Sequence, residues 1–300
     1  IAITGIEKVV EKLEHVPPLF GLLTRSGVQV IDMGVVPDEP TLLESAFRQA
    51  AREADAVITV SAPGGSPTYT ADFKLNFNSP TNLSEACLGL SASYLDAGAR
   101  AAIEARMPQA GLIIDPDFPV LISVSPPAAC GLTFRNEVRV ELRTENLVFN
   151  ANSPFRLYKA PVLASFRNIT QSVVAGSVRA RGSSGGFSDF VMVRDTAPDL
   201  VADAELAYDA LTVRLDDPDI DPVARRVLED TLALSRAAFA AGNYAAALDH
   251  VDDMRGDCGL FAGDELDNEW HATGDVENDE GEIVSLLEPL DFLLDRLANP

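Results

Sequence analysis

The sequence predicts a multi-domain α+β protein: a short α/β N-terminal unit, an antiparallel β-sandwich and a C-terminal acidic helical bundle. Three observations carry this. Strand-length apolar runs flank a helical pattern within residues 1–60. From residue 60 to 199 Pro, Gly, Ser and Asn become dense, and about seven alternating or apolar strand-like runs recur between them. Residues 201–300 return to helical periodicity and hold 25 acids against 6 arginines, which is most of the net charge of −23. The domain boundaries expected are 1–58, 59–199 and 200–300.

In the first unit, "IAIT" reads as a short strand ending at Gly5. "VQVID" (28–32) and "DAVITV" (55–60) are continuous apolar runs. "TLLESAFRQAAREA" (41–54) places Leu42, Leu43, Ala46, Phe47 and Ala50 at helical spacing after Pro40 and Thr41. Buried strands joined by a helix read as a βαβ unit with a parallel sheet.

The middle region alternates. In "EVRVELRTENLVF" (137–149), Val138, Val140 and Leu142 face one way while Glu137, Arg139, Glu141 and Arg143 face the other. That is an antiparallel strand with one wet face. Further runs are 68–77, 88–96, 120–125, 155–162, 172–181 and 187–195, with "NSPTN", "ANSP" and "RGSSGG" as turns. One helix, 97–107, interrupts them. Beyond residue 199, "LVADAELAYDALTVRL" is amphipathic. The next helical stretch breaks at Gly242-Asn243 in a tetratricopeptide-like hairpin present in one copy, and 282–298 forms a last helix.

Charge excludes some functions. At −23 and a pI of about 4.3 the chain repels nucleic acid and anionic membranes. No run of 18 apolar residues occurs, so no transmembrane helix is expected. The start at Ile1 has neither the basic opening nor the apolar core of a signal peptide, and the chain reads as a fragment or processed form. Cys87, Cys130 and Cys258 form no zinc spacing. Cys87 and Cys130 either pair in an oxidising compartment or stand as buried thiols.

Two resemblances add to this reading. Gly27, Val30, Asp32, Gly34, Pro37, Asp38 and Pro40, followed by Ala54-Asp55-Ala56-Val57-Ile58-Thr59, resemble the molybdopterin-binding domain of molybdopterin molybdotransferases. The resemblance implies a cofactor loop with a nearby acid, here Gly64, Gly65 and Asp72, and a turn holding Thr4 and Gly5. It implies Mg²⁺, and molybdate insertion into adenylylated molybdopterin in the cytoplasm. The chain departs from the pattern where the chemistry sits. The glycines are displaced, Pro63 and Pro67 remove N–H donors, and the Asp expected after Thr4-Gly5 is lost. The second resemblance, over "FPVLISVSPPAACGLTF", "VELRTENLVFNANSPFRLYKAP" and "RGSSGGFSDFVMVRD", is to a bacterial exported family without assigned activity.

Other motifs fail as catalytic sites. "GSSGG" (182–186) lacks the Lys-Ser/Thr of a phosphate loop and reads as a glycine turn. No G-x-S-x-G elbow occurs, and His15, His250 and His271 lack recognisable partners. Asp217, Asp219 and Asp221 alternate as in a calcium loop. Pro222 and Leu228 exclude an EF-hand, leaving a weak metal site or a helix start. The acidic run 263–282, with His271 inside it, reads as a solvated loop rather than a metal site. The expectation is a non-catalytic exported or periplasmic module binding a small molecule, glycan or protein, with no cofactor. The molybdotransferase-like enzyme is the alternative.

Overall fold

The computed structural model describes residues 53–149, 153–161, 164–174 and 177–299. Thr4, Gly5 and nearly all of the expected α/β unit lie outside the described residues.

Twelve strands form two sheets among the described residues. Sheet A runs in the order β1 (Glu53–Ser61), β2 (Thr68–Thr81), β6 (Thr133–Thr144), β10 (Val178–Ser184), β9 (Thr170–Val174), with β12 (Glu269–His271) also beside β6. Sheet B runs β3 (Leu90–Tyr94), β5 (Val120–Val124), β11 (Asp189–Asp195), β7 (Phe155–Ala160), β8 (Arg167–Asn168), with β4 (Leu112–Ile114) also on β11. Every strand pairing within the sheets is antiparallel.

The inner faces meet in one core. Phe73 and Leu75 of β2 and Val140 and Leu142 of β6 pack toward Ile122, Leu157, Phe190 and Met192 of sheet B. The Phe73 and Phe190 rings lie 5.6 Å apart. Sheet B is buried on its outer face as well. There Tyr158, Val191 and Val193 pack with Leu112, Ile114 and Ile103 of helix α2 (Ala97–Glu104). Burial on both sides explains why "FVMV" (190–193) is apolar throughout rather than alternating. Helix α1 (Glu85–Leu88) is tied to the 3₁₀ turn at Ala128–Cys130 by a Cys87–Cys130 disulfide, with Cα atoms 5.4 Å apart. Of the two sequence alternatives for these thiols, this is the paired one.

Strand β1 corrects one expectation. "DAVITV" reads as a buried parallel strand, yet β1 pairs antiparallel with β2 at the edge of sheet A. Ala56, Ile58 and Val60 face the core, while Asp55 and Thr59 face outward. Val57, apolar on the outward face, hides the alternation. The boundary at 58/59 therefore falls inside β1.

Four longer helices follow: α3 (Leu200–Leu215), α4 (Pro222–Ala240), α5 (Tyr244–Phe261) and α6 (Asp279–Ala298). Asp199, Asp221, Asn243 and Asn278 cap their N-termini through side-chain oxygens. Gly242, at φ +73°, makes the tight turn of the α4–α5 hairpin. Tyr208, Leu211, Leu228, Val251, Leu287 and Leu290 are among the residues of their common core. Helix α6 also packs across β6, β9 and β10. Among the described residues no helix is long and apolar enough to cross a membrane.

Candidate functional site

Two polar places stand out, one sealed and one open. The sealed one begins on β7. Leu157 faces the core between the sheets, so Lys159, two residues on, faces the same interior. On β10, Ser184 pairs with Val138 of the core face, so its hydroxyl also points inward. Lys159 Nζ donates to Ser184 Oγ, to Glu282 Oε1 at 2.9 Å and to the Gly186 carbonyl at 3.3 Å. The other Glu282 oxygen forms an ion pair with Arg167 of β8. One carboxylate thus serves two cations. Burial drives the Lys159 ammonium well below its ordinary pKa, and the Arg167 charge adds to that. Arg167 is itself lowered to about 10 by burial.

Glu282 belongs to the first turn of α6, and its neighbours reach other elements. Asp279 pairs with Arg214 of α3, and Asn136 of β6 donates to Glu280 at 3.0 Å. Asn278 donates to the carbonyls of Asn136 at 2.6 Å and Gly185 at 2.9 Å. Burial pushes the Asp279 carboxyl up to about 6 against the Arg214 charge, and the Glu280 carboxyl up to about 7 against the Asn136 hydrogen bond.

Gly185 makes this docking sterically feasible, and the "GSSGG" stretch is half strand and half the expected glycine turn, since Gly185 and Gly186 bend the chain between β10 and β11. Gly182, Ser183 and Ser184 are the end of β10. A Cβ on Gly185 would collide with the backbone of Gly281 and Glu282, and one on Gly182 with the Ile169 carbonyl. The site contains an amine and a hydroxyl in contact, the composition of a base–nucleophile pair. Ser184 is 0 % exposed, so no substrate reaches it in this arrangement.

The open place is a groove of about 410 Å³ on the outer face of sheet A, lined by Asp55, Lys74, Arg139, Glu141, Arg181 and Gln171 among others. Lys74 pairs with Asp55 at 3.0 Å and Arg181 with Glu141 at 2.6 Å. This is the wet face that the alternation of β6 predicts.

The sequence-named candidates lie elsewhere. Gly64 and Gly65 are exposed in the β1–β2 hairpin turn. Asp72 lies on β2 opposite Val57 and pairs with Arg143 at 2.7 Å. The strand starts at Thr68, and its four steps from there to Asp72, roughly 13 Å of extended chain, carry the acid away from the turn, so the fold does not bring acid and loop together. Asp217 accepts from Arg214 and from the Asp219 N–H, and Asp221 caps α4. These are the helix-start roles that the sequence also allows. The acidic run is not wholly loop. Trp270 of β12 stacks on Phe134 at 5.3 Å, and the first turn of α6 lies inside the run. His271 meets Asp275 at 3.1 Å and Glu269 at 3.4 Å, while Glu269 also holds Arg135. Among the described residues no three metal-ligating side chains converge.

Sequence reasoning missed Lys159, Ser184, Arg167 and Glu282. One signal was present: a lysine at an inward position of the apolar run "FRLYKA", since a lysine is almost never fully buried without a partner. No curated protein matches the chain. The model of a family of unknown function, DUF6689, matches residues 48–298, and the chain belongs to that family.

Proposed function

We propose that the protein is a non-catalytic binding module, working in an oxidising compartment, that holds a hydrophilic ligand on the outer face of sheet A. The observation that carries this is the groove of about 410 Å³, floored by rigid strands and lined with charged and amide side chains. Its size lies in the range that small-ligand sites occupy, and strands position side chains more firmly than loops do. The Cys87–Cys130 disulfide supports export, because the cytosol keeps such thiols reduced. The enclosure of Ser184 supports a structural role for the Lys159 cluster.

The test is a hydrolase screen of the purified chain against ester, peptide and glycoside substrates. No turnover above the buffer rate is expected, and Ser184→Ala leaves that result unchanged. Turnover that disappears on substituting Ser184, or any single Asp or Glu, contradicts the reading.

A further inference from the structure

We propose that the groove on sheet A is a uronate site, taking a carboxylate on a polyhydroxylated scaffold with Arg139 as its anchor. This rests on the binding-module reading and names the ligand class for the same groove.

Rows of cross-strand neighbours build the face. In one row Asp55, Lys74, Glu141 and Arg181 lie side by side across β1, β2, β6 and β10. Their signs alternate, so the row neutralises itself and presents both acceptors and donors. Such a surface suits hydroxyl groups, which need both. The adjacent row holds Asn76, Arg139 and Ser183.

Arg139 differs from the other arginines of β6. Its carboxylate neighbour Glu137 stands at 3.9 Å, and its side chain is 75 % exposed. Arg143 is instead held by Asp72 at 2.7 Å and Glu145 at 2.8 Å. Arg135 is held by Glu269. A guanidinium fork without a close carboxylate is the place where an incoming one gains a bidentate, charge-assisted contact.

Ser183, paired directly with Arg139, closes that end of the row: it is only 3 % exposed where α6 crosses β10, so the open part of the row is Asn76 and Arg139. The lining residues include no aromatic side chain, so a neutral sugar finds no ring to stack on. Charge then decides the affinity.

The test is calorimetric titration of the whole chain with galacturonate, with trigalacturonate, and with the fully methyl-esterified trimer. Wild type, Arg139→Gln and a groove-filling Asn76→Trp variant are compared. Binding of an acidic probe, weakened about tenfold by esterification and by Arg139→Gln, supports the proposal. A trimer that outbinds the monomer marks a polymer as the source, and equal affinities mark the free sugar acid. Equal binding of acid and ester, both lost in Asn76→Trp, overturns the uronate assignment and leaves the binding module standing. No binding by any of the three also overturns the assignment, while the hydrolase screen decides the module reading separately.

Discussion

Glu280 is a carboxyl with one side-chain donor, Asn136, at a position only 5 % exposed. Burial is the dominant influence and raises its pKa from 4.5 to about 7. A raised acid stabilises the fold fully below its unfolded value, and that stability is lost as pH climbs through the folded value. Glu137 of β6 faces it with like charge and adds to the shift. Asp279, raised to about 6, titrates with the same sign. Wild type is therefore expected to lose stability from about pH 5 to about pH 8. Glu280→Gln should remove about 2 kcal/mol of that loss, from a shift worth about 1.4 kcal/mol per unit. Urea denaturation at both pH values measures it, and equal slopes for the two proteins contradict it. Nothing in "ENDEGE" distinguishes Glu280 from the acids beside it, because burial of one member of an acidic run depends on what docks there. The inward lysine of β7 was the only local irregularity that pointed to this region.

At the scale of elements, α6 is the wedge that joins the helices to the sandwich. Its first turn reaches α3 through Asp279, β6 through Glu280, and β7 and β8 through Glu282. Replacing Glu282 by Gln removes the carboxylate that the buried Lys159 and the half-buried Arg167 share. Breaking a buried pair by removing one partner costs about 3–5 kcal/mol. A drop of that order in unfolding free energy is expected, and a change under about 1 kcal/mol would mean the cluster is not closed. Helices α3, α4 and α5 were legible because caps and periodicity are local: Asp199, Asp221 with Pro222, and Asn243 after Gly242 mark their starts. The role of "GSSGG" was not legible. A glycine required for close approach of a distant helix looks the same in sequence as one required for a turn. The strand β1 misled for a similar reason, since one outward Val57 made an alternating edge strand look continuously buried.

At the scale of the molecule, two antiparallel sheets and the helical part share a boundary of buried ionic contacts rather than a plain apolar seam. Beyond the first turn of α6, Gln109 donates to Asp203 of α3 at 2.6 Å and Arg156 stacks on Phe292 of α6 at 5.1 Å. The disulfide acts elsewhere, on sheet B's β3–β5 side. With its cysteines 43 positions apart in sequence, chain-entropy arguments give it about 2–4 kcal/mol. Cys87→Ser with Cys130→Ser should lower stability by that amount, and an unchanged denaturation midpoint would contradict it. The sandwich and the helical segment were legible from alternation and charge distribution. The groove was not, because its depth depends on which strands become neighbours: β2, β6 and β10 are far apart in sequence.

The central claim is that ligand is held on the outer face of sheet A. Amide chemical-shift mapping of the labelled chain with trigalacturonate tests it most directly. The account predicts perturbations along β2, β6 and β10, centred on Asn76, Arg139 and Arg181, with the spectrum of the probe itself unchanged over time. Shifts centred on another surface, or on Ser184 with breakdown of the probe, would contradict it.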